Sequence, residues 1–401
     1  MPGEDLGAPV DAESVALLAT RQGREALDLA MAQSDPGGLA AAQRLRSRFP
    51  AELAAVALTQ AELRRRAVPK LGDRAASLFL TRDGLEQATR PEVAAHHAER
   101  FLAAGVTRVV DLGCGIGADA WAFADAGLEV VAVELDPATA EIARLNLGDR
   151  GRVLTGDAER LAAELITPGT GVFCDPARRT SSGRLWRVED FAPSWSFVSG
   201  LLRPDQVAGI KLGPALPHNL VPDAAEAEWV SHRGDTVEVG LWSGGASQPG
   251  GRVATLLPRD RLVVPAARPE LATTAVRAFV YEPDGAVIRA GGVTTVGELV
   301  GGSLLDPQIA YLTSDALVST PYAVAFEVVE VLPYKEKGLR RWLHEHGMGT
   351  VEIKKRGVDL DPAQLRRRLA LKGEGSCTVI LTRTPRGAVA IVAQRVSTAS
   401  A

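Results

Sequence analysis

Cysteine is scarce in this sequence, and its three cysteines, Cys114, Cys174 and Cys377, lie far apart. No two of them have the spacing of a disulfide framework or of a cysteine-type zinc site. We therefore predict no metal site. Separate free thiols are typical of a reducing compartment, so a cytoplasmic location is the expectation.

Long apolar runs are also missing. No segment reaches the roughly 18 to 20 uninterrupted apolar residues of a membrane span. The first ten residues, MPGEDLGAPV, are acidic and lack an apolar stretch. A membrane is therefore not expected among the partners.

An excess of positive charge is missing as well, because 45 Lys and Arg residues stand against 49 Asp and Glu residues, a formal net charge of -4. The whole chain thus carries no charge signal of a nucleic-acid binder, although an average can hide a local basic surface. A length of 401 residues with 46% hydrophobic content suffices for two or three compact units.

The chain divides into segments of different composition. Residues 12–70 are rich in Ala, Leu, Arg and Glu, which predicts several short helices. From residue 107 onward apolar strands alternate with amphipathic segments, which predicts a doubly wound α/β fold with helices on both faces of a parallel sheet. We expect a helical N-terminal region at 1–88, an α/β domain at 89–258, a connecting region at 259–322 and a smaller C-terminal α/β domain at 323–401.

The stretch VVDLGCGIG, residues 109–117, reads as a strand followed by a glycine-rich turn. Gly113, Gly115 and Gly117 allow a sharp backbone turn and let a ligand approach main-chain atoms. The same glycines also satisfy a dinucleotide fingerprint, so they do not distinguish a nicotinamide cofactor from others. The Lys and Ser/Thr of a nucleotide triphosphate loop are absent.

Three acids follow successive strands and narrow the choice of ligand. Asp111 would repel the pyrophosphate of a dinucleotide but attract the amino group of S-adenosylmethionine. Glu134, at the end of the second strand, is placed to accept hydrogen bonds from ribose hydroxyls, a contact common to both cofactors. Asp157 in TGDA could take the exocyclic amine of adenine, or it could simply cap a helix.

These motifs resemble those of the class I S-adenosylmethionine-dependent methyltransferases, since VVDLGCGIG, VELD, GDA and FCDPARR match in order and spacing over about 90–243. The resemblance implies S-adenosylmethionine as cofactor. It places Gly113, Gly115 and Gly117 under the methionine part, Glu134 on the ribose, and Asp157 with Ala158 near adenine.

The stretch VFCDPARRT, residues 172–180, is the candidate reaction centre. In amino-group methyltransferases a related Asp/Asn-Pro-Pro-aromatic motif holds the target amine through the acid and a backbone carbonyl. Here Ala177 and Arg178 follow Asp175 and Pro176. This version also resembles the motif of RNA uridine C5-methyltransferases, but those need a nucleophilic cysteine on a later strand, and none is found. We expect Asp175, Pro176 and Arg178 to be catalytic.

Basic residues near this motif are candidate substrate contacts. Arg178 and Arg179 could contact a phosphate, and Lys211 of IKLGP would lie at the end of the fifth strand facing the same cleft. The alternative is that an Arg beside a loop Asp forms only a local ion pair.

A looser resemblance, to the trimethylguanosine synthase-like branch, covers FLTRDGLEQATRPEVAAHHAERF at 79–101. In that branch this segment folds over the cofactor, which makes Thr89 and Arg90 candidates for a lid or for the cofactor carboxylate. His96 and His97 are expected to face solvent and packing rather than a metal.

The tail at 326–383 resembles the THUMP-like domain found behind such methyltransferases, a relative of RNA-binding THUMP modules. Between Lys335 and Arg386 we count 13 Lys and Arg residues against 6 Asp and Glu residues, so positive charge is concentrated there. Arg366, Arg367 and Arg368 are therefore candidate RNA contacts, although a solvated helix face would also explain them.

The sequence thus predicts a methyltransferase that acts on a base nitrogen of structured RNA. Two alternatives stay open: a methyltransferase of a small molecule or protein, and an RNA-binding protein that keeps the cofactor pocket without catalysis.

Overall fold

The protein is described here from a computed structural model, which covers residues 12–178 and 190–396. The chain forms two compact units. The first is Met1–Glu226 with Val239–Gly250, and the second is Ala227–Glu238 with Gly251–Ala401.

The first unit begins with helices, as predicted for the N-terminal region. They are α1 (Ala12–Ala19), α2 (Arg21–Met31), α3 (Leu39–Arg46), α4 (Ala51–Leu71), α5 (Arg82–Gln87) and α6 (Pro91–Ala103). The side chain of Thr20 caps α2 by accepting a hydrogen bond from the Gly23 amide. Helix α4 is the longest at 21 residues, and it ends at Gly72, whose φ of 57° lies in the left-handed region.

The rest of this unit alternates strands and helices. The elements are β1 (Arg108–Leu112), α7 (Ala118–Asp125), β2 (Glu129–Glu134), α8 (Pro137–Leu147), β3 (Arg152–Thr155), α9 (Ala158–Leu165), β4 (Thr170–Cys174), β5 (Ala177–Arg178), β6 (Phe191–Ala192), α10 (Trp195–Gly200), β7 (Ala208–Leu212) and, after β8 (Glu226–His232), β9 (Asp235–Ser243). Residues 239–243 of β9 belong to this unit, whereas β8 from Ala227 onward belongs to the second. Strands β1 and β4 are buried on both faces except for the first residue of β1, which explains their continuous apolar sequence.

The strand order in this unit is β9-β7-β4-β1-β2-β3. The pairs among β7, β4, β1, β2 and β3 are parallel, and β9 runs antiparallel to β7. The order reverses between β1 and β4, which is the switch point of a doubly wound sheet and confirms the predicted fold class. Ligands of such sheets bind at the carboxyl ends of the strands beside that point.

The second unit contains two groups of strands. In the first, β8 pairs in parallel with β10 (Arg252–Leu257), which pairs antiparallel with β11 (Asp260–Val264). The second group is a seven-stranded sheet of order β13-β14-β12-β15-β18-β17-β16. Its elements are β12 (Phe279–Pro283), α11 (Gly285–Ala290), α12 (Val293–Leu299), β13 (Ser303–Asp306), β14 (Ile309–Ser314), β15 (Ala323–Pro333), α13 (Glu336–Glu345), β16 (Met348–Arg356), α14 (Pro362–Leu369), β17 (Gly375–Thr384) and β18 (Gly387–Arg395). The segment 259–322, expected as a connection, therefore supplies strands to the same sheet as the C-terminal segment.

The seven-stranded sheet has an apolar core on each face. Leu339 and Leu343 of α13 and Leu365 and Leu369 of α14 pack with strand residues such as Val379. The adjacent Ile380 points to the opposite face, into a cluster with Val280, Tyr311 and Phe326. Together these elements form the smaller α/β region that the sequence predicts.

Candidate active site

A cavity of about 840 Å³ lies in the first unit at the carboxyl ends of β1, β2 and β4. The predicted residues that line it are Thr89, Asp111, Gly113, Gly115, Glu134, Asp157, Ala158 and Asp175. Gly117, Arg90, Pro176 and Lys211 are not among the described residues that line it. The side chain of Arg178 and the whole of Arg179 lie outside the described residues.

The glycine turn between β1 and α7 needs glycine for its backbone conformation. Gly113, Gly115 and Gly117 have φ values of 88°, 55° and 83°, which side-chain-bearing residues rarely adopt. The amides of Gly113 and Cys114 both donate to the Val133 carbonyl oxygen, at 2.9 and 3.0 Å. The turn is thereby fixed to β2, and Gly117 opens α7 without lining the cavity itself.

Asp111 presents a buried negative group to the cavity. It is 1% exposed, and neither carboxylate oxygen has a hydrogen-bond partner among residues 12–178 and 190–396. Burial raises the pKa of Asp111 well above its ordinary value, and the negative charges of Asp119 and Asp175 raise it further. An unpaired buried carboxylate is costly, so this site favours a ligand that brings a positive charge.

Two further acids are held by backbone amides. Glu134 accepts from the amide of Gly115 at 2.9 Å through Oε2 and from that of Asp136 at 3.0 Å through Oε1. Its carboxylate is therefore fixed at the end of β2. Asp157 is the N-cap of α9 and accepts from the Glu159 amide at 2.9 Å. Asp157 therefore caps a helix, which was one of its two expected roles, and it also lines the cavity.

The sequence interpretation missed a buried hydrogen-bond network of three side chains that includes Asp119, which lines the cavity together with Asp111. The Thr89 hydroxyl donates to Asp119 Oδ2 at 2.5 Å, and His97 Nδ1 lies 2.8 Å from Asp119 Oδ1. His97 is 1% exposed, so it does not face solvent. Burial raises the pKa of Asp119, but its bonds with His97 and Thr89 outweigh this and leave the pKa below its ordinary value. Asp119 and His97 are 22 positions apart, and their contact follows no local sequence signal.

Asp175 and Lys211 form an ion pair at the carboxyl ends of the neighbouring strands β4 and β7. The Lys211 Nζ donates to Asp175 Oδ2, and the two side chains are 14% and 34% exposed, respectively. Lys211, which the sequence predicts to be a substrate contact, is thus the ion-pair partner of Asp175. It fixes the Asp175 carboxylate at the wall of the cavity.

Helix α4 also builds the site, which the sequence did not indicate. Thr59 and Leu63 of α4 line the cavity. Lys70, in the last turn of α4, donates to the carbonyl oxygens of Leu85 and Glu86 in α5, at 2.7 and 2.6 Å. Burial lowers the pKa of Lys70 to about 8, with smaller contributions from the positive charges of Arg90 and Lys211.

The three tail arginines differ in their contacts within the second unit. Arg368 forms a bidentate ion pair with Glu336, with N to O distances of 2.9 to 3.1 Å. Arg366 donates to the Val351 carbonyl at 3.3 Å. Arg367 is exposed and has no hydrogen-bond or ion-pair partner in the described part of the chain.

Membrane-spanning helices and metal-binding clusters are both absent from the described residues. Between residues 12–178 and 190–396, no helix is long and apolar enough to cross a membrane. The same residues contain no group of three or more His, Cys, Asp and Glu side chains placed to hold a metal ion.

Comparisons with known proteins identify the family. A methyltransferase domain model matches residues 110–165, a THUMP domain-like model matches 323–395, and a domain of unknown function matches 11–67. Two Mycobacterium tuberculosis proteins, from strains CDC 1551 / Oshkosh and H37Rv, bear the name uncharacterized S-adenosylmethionine-dependent methyltransferase. Each is 34% identical over 343 residues, covering 82% of this chain and 93% of the relative. The chain belongs to the S-adenosylmethionine-dependent methyltransferases. A crystal structure of a proposed methyltransferase from Porphyromonas gingivalis W83 shares the fold, with a TM-score of 0.74, 24% identity, and coverage of 97% of this chain and all of that one.

The residues of this methyltransferase fit the cofactor of its family, S-adenosylmethionine. The unpaired Asp111 carboxylate favours a cationic ligand, and that cofactor carries an ammonium and a sulfonium group. A Cβ on Gly115 would meet no atom of the described chain within 4 Å, so the turn leaves open space for a ligand. The Glu134 carboxylate, fixed by two amides, stands at the strand end where ribose hydroxyls are bound in such folds.

Proposed function

We propose that this methyltransferase transfers a methyl group from S-adenosylmethionine to a base nitrogen of structured RNA. The observation that supports an amine as methyl acceptor is the position of Asp175, which follows β4 and lines the cavity. The sulfonium of the cofactor supplies an activated methyl group, so the protein chiefly has to align donor and acceptor.

In this proposal Asp175 accepts a hydrogen bond from the target amine and disperses the positive charge that develops on it. The ion pair with Lys211 supports this role because it holds the Asp175 carboxylate in place. The backbone at Pro176 supplies the second contact to the amine, as in the family motif. Arg178 and Arg179 contact a phosphate of the substrate.

Most of the proposed cofactor contacts are made by residues that line the cavity. We propose that the glycine turn of Gly113, Gly115 and Gly117 carries the methionine part, and that Asp111 faces its ammonium group. The remaining roles are Glu134 on the ribose, Asp157 and Ala158 near adenine, and Arg90 at the cofactor carboxylate. The Thr89 hydroxyl donates to Asp119, so Thr89 takes the lid alternative and closes the wall of the cavity.

The RNA substrate is supported by the charge of the C-terminal segment. Between Lys335 and Arg386 the chain carries 13 Lys and Arg residues against 6 Asp and Glu residues, while the whole chain has a net charge of -4. A basic segment that matches a THUMP domain-like model is suited to phosphate contacts. We also keep the trimethylguanosine synthase-like branch and a cytoplasmic location as parts of this proposal.

The test is transfer of a radiolabelled methyl group to total RNA and, in parallel, to total protein, followed by nucleoside analysis of the RNA. We expect label in RNA, on a nucleoside methylated at a base nitrogen. Label in protein alone would identify a protein methyltransferase. Cofactor binding without any transfer would favour an RNA-binding protein without catalysis.

A further inference from the structure

Asp119 is a second acid at the wall of the cofactor cavity, and each of its oxygens is already oriented. Oδ2 accepts from the Thr89 hydroxyl at 2.5 Å, and Oδ1 lies 2.8 Å from His97 Nδ1. Asp119 and Thr89 both line the cavity, together with Asp111. Because a carboxylate oxygen accepts two hydrogen bonds, each oxygen of Asp119 keeps one site for a further donor.

The partner histidine cannot reorient freely. Its ring centroid lies 5.0 Å from that of Phe173 and 6.0 Å from that of Trp242, and the residue is 1% exposed. Its Nδ1 is held toward Asp119, on the first turn of α7. The segment before α6, α6 itself and α7 thus meet in one buried chain: Thr89, Asp119, His97.

Two acids therefore stand at the same wall with different surroundings. Asp119 is hydrogen-bonded to two partners, whereas Asp111 has none within the described residues. Like charges repel in a buried site unless a cation joins them. An α-ammonium group has three N–H donors, which can bridge two carboxylates.

We propose that Asp119 is a second acceptor for the α-ammonium group of the cofactor, beside Asp111, and that His97 and Thr89 are positioning residues that hold its carboxylate. This proposal concerns binding of the cofactor and not the substrate that receives the methyl group. It therefore does not depend on the RNA substrate.

The experiment compares two ligands by calorimetry. S-Adenosylhomocysteine carries the α-ammonium group, whereas 5′-methylthioadenosine keeps the adenosine and the thioether but lacks the amino acid part. We expect Asp119→Asn to weaken S-adenosylhomocysteine by about tenfold to hundredfold, the loss of a charge-assisted hydrogen bond. Binding of 5′-methylthioadenosine should change by less than about twofold, since its contacts are elsewhere.

The matched control is Asp125→Asn, which makes the same change on the same helix. Asp125 pairs with Arg74 at 3.4 Å and is 56% exposed, so both ligands should bind as in the wild type. Equal weakening of both ligands by Asp119→Asn would show a structural role only and overturn the proposal. So would unchanged binding of S-adenosylhomocysteine.

Three variants at the two positioning residues keep the test decisive if Asp119→Asn does not fold. Thr89→Val removes one hydroxyl donor and keeps the side-chain shape, and it should weaken S-adenosylhomocysteine selectively. His97→Ala should act in the same sense, and His97→Asn, whose amide can donate from nearly the position of Nδ1, should restore part of the affinity. Parallel loss of both ligands in these variants would contradict the positioning role.

Discussion

At the scale of single residues, the ionised form of Asp111 opposes folding of the ligand-free protein. The buried Asp111 carboxylate has no hydrogen-bond partner within the described chain, and burial raises its pKa well above 3.8. The Asp111 carboxyl therefore binds its proton more tightly in the folded protein than in the unfolded chain. Its ionisation lowers the free energy of unfolding: the loss begins as the pH rises above the ordinary pKa and is complete above the raised pKa.

We therefore predict that Asp111→Asn stabilises the ligand-free protein at neutral pH, by about 1–3 kcal/mol. The gain should shrink as the pH falls toward the ordinary carboxyl range. The same variant should lose the thermal stabilisation that S-adenosylhomocysteine gives the wild type. Thermal melts at several pH values, with and without that ligand, check both effects, and a lower melting temperature at neutral pH would contradict this account of Asp111.

Asp175 gives a second prediction at this scale. If its carboxylate contacts the acceptor, Asp175→Ala should abolish turnover while the affinity for S-adenosylhomocysteine changes little. Rates of methyl transfer and calorimetric affinities separate the two effects. Turnover at the wild-type rate would remove Asp175 from the mechanism.

At the scale of elements, the N-terminal helices are part of the cofactor site, because α4 lines the cavity and its Lys70 holds α5. We predict that Lys70→Met, which keeps the aliphatic stem but removes the donor, speeds amide exchange in residues 82–88 by about tenfold. Arg66→Met, at an exposed position of the same helix, is the control. Unchanged exchange in the Lys70 variant would show that α5 is held by packing alone.

Features that depend on local sequence could be predicted, whereas contacts between distant residues could not. The turn before α7 was predicted because a left-handed backbone requires glycine, and because buried parallel strands read as continuous apolar runs. The common edge for Asp175 and Lys211 also followed, since parallel strands end on one side. The Asp119 contact with His97 and the Lys70 contact with α5 join distant positions, and only the packing of helices brings them together.

At the scale of the whole molecule, positive charge is concentrated in the C-terminal segment, and the contacts of its arginines refine the RNA prediction. Glu336 already pairs with Arg368, and the Val351 carbonyl accepts from Arg366, whereas Arg367 has no hydrogen-bond or ion-pair partner in the described part of the chain. Arg367 can therefore contact a phosphate without breaking a hydrogen bond or an ion pair. Among these three, Arg367 should therefore contribute most to RNA binding.

We predict that Arg367→Gln weakens binding of structured RNA regardless of sequence and lowers the slope of log affinity against log salt by about 0.7–0.9, the value for one phosphate contact. The triple change of Arg366, Arg367 and Arg368 to Gln should extend both effects. Arg259→Gln, an exposed position before β11 in the same unit, controls for the loss of one charge. Affinities at two salt concentrations decide the matter: if the Arg367 and Arg259 variants behave alike, the arginines of α14 only solvate their helix, whereas a lower slope in the Arg367 variant alone assigns a phosphate contact to this helix.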